Sequence, residues 1–318
     1  MKHLTGPPPV PEFQYRGVIP ILSTPFHDDE SLDLESMTRL VGFMRRLRVD
    51  ALTVLGVLGE TDRLTEEERR DVARTTIEAA GPIPVIVGAS RAGAAATIAA
   101  IQDAKRLGAS AAMVAPADTD SVPYFRRIGD AGLPIIVQDH PPSSGIQTPT
   151  DTLLRIVREV PSVAGIKCEA VPTPPKVAAL KEGMSKDRDV PVLTGLGALY
   201  ARFDLERGSD GFNTGFAFPE ILRAMLGTDG AAVYQRFLPL IVFEQQPGTA
   251  VRKEILRRRG LISSNRVRAP GTTIDPDTAR QVEALLSELF AGVDITQPLP
   301  PTAISGRAGR ALATKTRQ

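Results

Sequence analysis

A lysine stands inside a run of small and apolar residues, Ala164-Gly165-Ile166-Lys167-Cys168-Glu169. A run of this kind reads as a strand buried on both faces. Low-dielectric surroundings disfavour an ammonium, and a neutral amine is a nucleophile able to form a Schiff base with a ketone. Glu169 lies two residues further on, on the same strand face. The pair reads either as a structural ion pair or as two groups of one catalytic centre. A second candidate is Leu55-Gly56-Val57-Leu58-Gly59-Glu60. Its glycines mark a tight turn after a buried run, with backbone N–H groups free to face an anion, or an ordinary strand-to-helix turn. A third is Val137-Gln138-Asp139-His140-Pro141, polar where an apolar run ends. Asp139 and His140 are adjacent, so a regular strand cannot point both the same way. His140, placed before proline, reads as a surface-loop residue rather than as a base.

Eight short runs carry these segments: residues 17–22, 51–56, 84–89, 111–116, 134–139, 164–169, 190–195 and 208–215. Most are rich in Val and Ile and apolar at consecutive positions, as strands of a parallel sheet are. Helical patterns lie between them. Met37, Leu40, Val41, Met44 and Leu47 share one helix face. Thr65 and Glu68 have capping-box spacing, ahead of a helix presenting Val72, Thr76, Ile77 and Ala80. Ile98, Ile101 and Ala104 repeat the pattern, as do Leu153, Ile156, Val157 and Val160. Eight such units, with no Gly-x-Gly-x-x-Gly after the first strand, favour an α/β (β/α)8 TIM barrel over an open doubly wound sheet. Catalytic groups then belong at the C-terminal strand ends. The expected organisation is an N-terminal arm (1–14), the barrel (15–228), a C-terminal helical appendage (229–292) and a flexible tail (293–318). Helices are expected over 231–244, 249–259 and 276–290. The arginine-rich run 252–259 is expected to form a solvated or inter-subunit helix face.

Composition narrows the function. Of 318 residues, 38 are Lys or Arg and 37 are Asp or Glu, a formal charge of +1. No global basic field exists to attract nucleic acid or an anionic membrane. The single cysteine, Cys168, excludes a disulfide framework, and His3, His27 and His140 show no metal-ligand spacing. No apolar run is long enough for a membrane span, and the N-terminus lacks the apolar stretch of a signal peptide. A cytoplasmic protein is expected, without a metal or organic cofactor.

Taken together, the segments resemble the dihydrodipicolinate synthase / N-acetylneuraminate lyase superfamily of class I aldolases and dehydratases. The resemblance runs from Tyr15 to about Phe290. It rests on Thr24-Pro25-Phe26, Gly56-x-x-Gly59-Glu60, Leu64-Thr65-x-x-Glu68-Arg69, residues 134–145 around Pro141, and Gly165-Ile166-Lys167. It implies a Schiff base on Lys167 with a small-molecule 2-keto acid, no external cofactor, and a homotetramer or homodimer. Several positions depart from the family pattern. Val57 and Leu58 replace two hydroxyl residues of the turn. The family's proton-relaying tyrosine falls at Gln138 and its carboxylate-binding arginine at Ser143. Pro116-Ala117-Asp118 stands where the synthases carry Pro-Tyr-Tyr. An amide and two alkyl groups cannot relay a proton as a phenol and hydroxyls do, which disfavours true dihydrodipicolinate synthase activity.

Gln138-Asp139-x-Pro141, with the stretch 237–241 and Glu244, is similar to a subgroup that includes L-2-keto-3-deoxyarabonate dehydratases. The expected reaction is therefore dehydration of a 2-keto-3-deoxy sugar acid through a lysine imine. The alternatives are retro-aldol cleavage of a less polar 2-keto acid, favoured by the apolar Val57 and Leu58, and a non-catalytic keto-acid-binding barrel. Expected catalytic groups are Lys167, Gln138, Asp139 and Glu169. Expected substrate contacts are Gly56, Val57 and Leu58, through backbone N–H groups at the carboxylate, and Asn213 and Thr214 at the end of the eighth strand.

Overall fold

The computed structural model describes residues 13–184, 188–245 and 248–305. Each of the eight apolar runs contributes one strand: β1 Gly17–Pro20, β2 Leu52–Val54, β3 Val85–Gly88, β4 Ala111–Val114, β5 Ile135–Asp139, β6 Val163–Cys168, β7 Val192–Thr194 and β8 Gly211–Thr214. All pair in parallel with their neighbours in chain order, and β1 pairs with β8. A bridge between Ile21 and Thr53 joins the end of β1 to β2 and closes the ring. The result is the expected (β/α)8 barrel with a C-terminal helical appendage.

Alternation along the strands makes two cores. Tyr15, Ile19, Ala51, Ile86, Ala111, Met113, Ile136 and Leu193 fill the barrel interior. The opposite strand faces, with Val54, Val114, Val137, Ile166 and Phe212 among them, pack against the surrounding helices. Tyr15 enters from the N-terminal end, and its ring lies against Gly165 of β6. A Cβ on Gly165 would come within 2.2 Å of that ring. Helix Glu66–Ala80 begins with the expected capping box: Glu68 N–H donates to Thr65 Oγ1 at 3.2 Å and Thr65 N–H to Glu68 Oε2 at 2.9 Å. Val72, Thr76 and Ala80 are buried on its inner face.

The appendage comprises helices Gly230–Phe243, Thr249–Arg258 and Pro276–Leu289. The solvated face expected for 252–259 is corrected here. Arg252, Lys253, Glu254 and Arg259 are all buried. Each of the three cations meets a carboxylate from another segment. Lys253 pairs with Glu60, Arg252 Nε donates to Glu244 Oε2 at 3.2 Å, and Arg259 reaches Glu220 at 2.6 Å. A charge run stays in water only when no opposite charge waits for it inside. Burial pushes the Lys253 ammonium down to about 8, with Glu60 opposing. Lys253 Nζ and the Arg268 guanidinium each lie 4.3 Å from the centre of the Phe26 ring. The expected tail also differs in part. Helix Pro301–Ser305 forms, and Leu299 and Ile304 are buried, because these apolar side chains find the appendage core. The proline-rich first dozen residues and positions 306–318 lie outside the described residues.

Two stability measurements follow from these contacts. Gly165→Ala is expected to lose roughly 1–3 kcal/mol in urea unfolding, because its Cβ overpacks the Tyr15 ring. Lys253→Met leaves Glu60 without its buried ammonium and is expected to lose on the order of 3 kcal/mol. Combined with Glu60→Gln, the loss should be smaller than the sum of the single effects.

Candidate active site

The C-terminal strand ends carry the polar groups. Lys167 stands opposite Gln138 of β5 and Leu193 of β7, on the strand face that lines the barrel. It is buried, and its Nζ lies 2.5 Å from Glu169 Oε2. Gln138 Nε2 donates to the same oxygen at 3.2 Å, and the N–H of Leu196 donates to Glu169 Oε1 at 3.0 Å. Burial pushes the Glu169 carboxyl up. Lys167, His140 and the Leu196 N–H outweigh burial and hold the carboxyl below the usual glutamate range. Lys167, Glu169 and Gln138 therefore form one buried cluster.

The turn after β2 runs Val57–Gly59 as a single 3-10 turn with no side-chain cap on its first N–H groups. Thr24 Oγ1 donates to the carbonyl of Gly59 at 2.7 Å and Thr61 Oγ1 to that of Gly56 at 3.1 Å. Glu60, which ends the turn at φ 54°, is fixed from behind by Lys253, by Arg63 Nη1 at 2.8 Å and by the N–H of Arg268 at 2.9 Å. Leu55 (φ 59°) just past β2 and Leu196 (φ 49°) just past β7 also hold left-handed backbone. Each such residue costs about 1–3 kcal/mol and persists because its surroundings over-determine it. The strain gathers at the barrel mouth.

The candidate residues do not all converge. Asp139 is corrected: strand alternation turns it from the Lys167 face toward the outer helices, where its Oδ2 lies 2.6 Å from Lys176 Nζ. Burial raises its carboxyl, and Lys176 only partly opposes this. The Leu58 side chain packs away from the cleft; its Cδ1 lies 2.6 Å from where a Gly215 Cβ would stand, beside the buried Arg252. Thr214 Oγ1 accepts the Gly197 N–H at 2.7 Å, and Asn213 Nδ2 donates to Thr53 Oγ1 at 3.0 Å within the barrel. Asn213 Oδ1 has no hydrogen-bond partner among the described residues.

A cleft of about 850 Å³ opens over the ends of β2 to β5. Gly56, Val57 and Gln138 line it. Its apolar lining includes Leu55, Val57, Met113, Ala115 and Pro116. Its polar lining includes Arg69, Ser90, Arg91, Tyr124, His140 and Ser143. Ser90 and Arg91 follow the end of β3, where polar residues after an apolar run are the sequence signal for them. Gln138 connects this cleft to the Lys167–Glu169 pair. Among the described residues no cluster of three His, Cys, Asp or Glu could hold a metal ion. No described helix is long and apolar enough to cross a membrane.

Several known proteins are similar to this chain. The L-2-keto-3-deoxyarabonate dehydratase of Azospirillum brasilense is 34% identical over 297 residues, covering 87% of this chain and 95% of that protein. A 4-hydroxy-tetrahydrodipicolinate synthase of Salinibacter ruber is 34% identical over 169 residues, 48% of this chain and 53% of the relative. Among solved structures, the dihydrodipicolinate synthase of Rhodopseudomonas palustris superposes with a TM-score of 0.79 at 33% identity, over 86% of this chain and 97% of that one. The model of the dihydrodipicolinate synthetase family matches residues 14–289, so the chain belongs to that family.

Proposed function

We propose that this protein is a Schiff-base-forming lyase that dehydrates a 2-keto-3-deoxy sugar acid. The observation that carries the reading is the buried Lys167–Glu169 pair at 2.5 Å, joined to the cleft through Gln138, which lines the cleft and donates to Glu169 at 3.2 Å. An amine beside a carboxylate, shielded from water, is suited to attack a ketone: the carboxylate takes the proton that the amine must shed. Likeness along nearly the whole A. brasilense dehydratase supports the substrate class.

The steps follow from these groups. Lys167 Nζ bonds to C2 of the keto acid, and Glu169 returns its proton to the carbinolamine oxygen, which leaves as water. The iminium withdraws electrons from C2, so the C3 proton becomes acidic. Its removal gives an enamine. The enamine expels the C4 hydroxyl, and hydrolysis frees Lys167. The substrate carboxylate sits at the uncapped N–H groups of Val57 and Leu58. No external cofactor enters this scheme. The assembly that performs it is a homodimer or homotetramer, which sedimentation velocity would detect.

One observation favours a second reading. The apolar lining of Leu55, Val57, Met113, Ala115 and Pro116 offers little to a polyhydroxylated chain. A less polar 2-keto acid, cleaved between C3 and C4 by the same enamine, suits that lining better.

Borohydride reduction with pyruvate and a panel of 2-keto acids is expected to leave a reduced adduct on Lys167, absent in Lys167→Arg. Mass spectrometry of products then separates water loss from fragmentation to pyruvate. If folded protein gives no adduct with any keto acid, the lyase reading fails and a non-catalytic keto-acid-binding barrel takes its place.

A further inference from the structure

The lyase reading leaves the C3 proton without an acceptor. Gln138 is an amide and cannot take it. Asp139 faces away, toward Lys176. Glu169 serves the amine. The cleft wall offers five titratable side chains, Asp62, Arg69, Arg91, Tyr124 and His140. Both arginines are held by Glu66. The Tyr124 hydroxyl donates to Thr97 Oγ1 at 2.9 Å, and burial raises its pKa. Asp62 stands at the exposed rim.

His140 differs from these. It follows Gln138 by two positions with an extended φ of −127°, which keeps it on the cleft side of β5. Its Nδ1 lies 2.7 Å from Ser143 Oγ, so the hydroxyl fixes the ring orientation. No hydrogen bond of the described residues uses Nε2. Two charged groups act on the ring electrostatically, Lys167 on β6 and Glu169 just past its end. Burial lowers the imidazole pKa most, Glu169 opposes this and Lys167 adds to it. The net direction is downward, so the ring is neutral near pH 7.

We propose that His140 is the acid–base residue of the elimination: its Nε2 takes the C3 proton from the Lys167 iminium and delivers it to the C4 hydroxyl as that group leaves. This rests on the lysine-imine reading. The C3–H bond breaks, and its electrons form the C2–C3 double bond while the imine nitrogen becomes neutral. The enamine then reforms the iminium, the C4–O bond breaks, and the proton on Nε2 joins the departing oxygen as water. The imidazole ends as it began, and no oxidant or reductant is required. Ser143 acts as a positioning residue through Nδ1.

Pyruvate tests this without knowledge of the substrate, since its methyl protons are the C3 protons. In heavy water the native enzyme should exchange them for deuterium, read by proton NMR. His140→Gln and His140→Asn should exchange at least ~100-fold more slowly, the scale of a lost general base. Both should still give the borohydride adduct on Lys167 within about threefold of native, which shows a folded, competent amine. Native exchange should fall as pH drops through the imidazole titration, whereas the variants should lack that limb. Native-like exchange by both variants, with trapping intact, overturns the assignment and moves the base to Glu169. Absence of any adduct in the native enzyme overturns the lysine-imine reading, and this assignment with it.

Discussion

The structure depends on keeping a charged pair inside a barrel. Lys167 and Glu169 are both buried, and taking two charges out of water costs several kcal/mol per ion before their attraction is counted. The chain meets that cost with geometry. Two residues apart at the end of β6, the side chains share a face, and the carboxylate also accepts from Gln138 on one side and from Leu196 N–H on the other. A carboxylate that accepts three hydrogen bonds is held in one arrangement, whereas an apolar group would tolerate many. Leu196, which donates one of these hydrogen bonds, holds left-handed backbone at φ 49°.

The same constraint recurs behind the carboxylate-facing turn. Glu60 is buried and held by a lysine, an arginine and a backbone N–H, two of these coming from beyond residue 250. The appendage thus does more than cover the barrel end. Its inward cations replace water around the barrel's own carboxylates, and cleft geometry becomes a property of the whole chain.

What was legible in the sequence follows from range. The eight strands were readable because burial on both faces leaves consecutive apolar residues, and Lys167 because it interrupts one such run. Its pairing with Glu169 was readable from a separation of two. The solvated reading of 252–259 failed because its partners Glu60, Glu220 and Glu244 lie on other elements, and charge counting carries no such information. Asp139 was placed among the catalytic groups because a polar rim does not reveal its phase. One residue decides between the cleft and the helix layer. The proline after His140 signals a strand end and a loop, while the Ser143 contact that fixes its ring exists only once residues 141–144 coil.

The pairing of β1 with β8 has a consequence for how the protein is born. A ribosome releases Gly17 long before Gly211, and the Glu60 turn long before Lys253. Until then the first strand has an open edge, and a buried carboxylate has no counter-charge. The emerging polypeptide therefore has no complete pocket at any intermediate length. Chaperones that shield open strand edges would find their target in the nascent first half, and a message truncated before the appendage would yield a protein without a finished mouth.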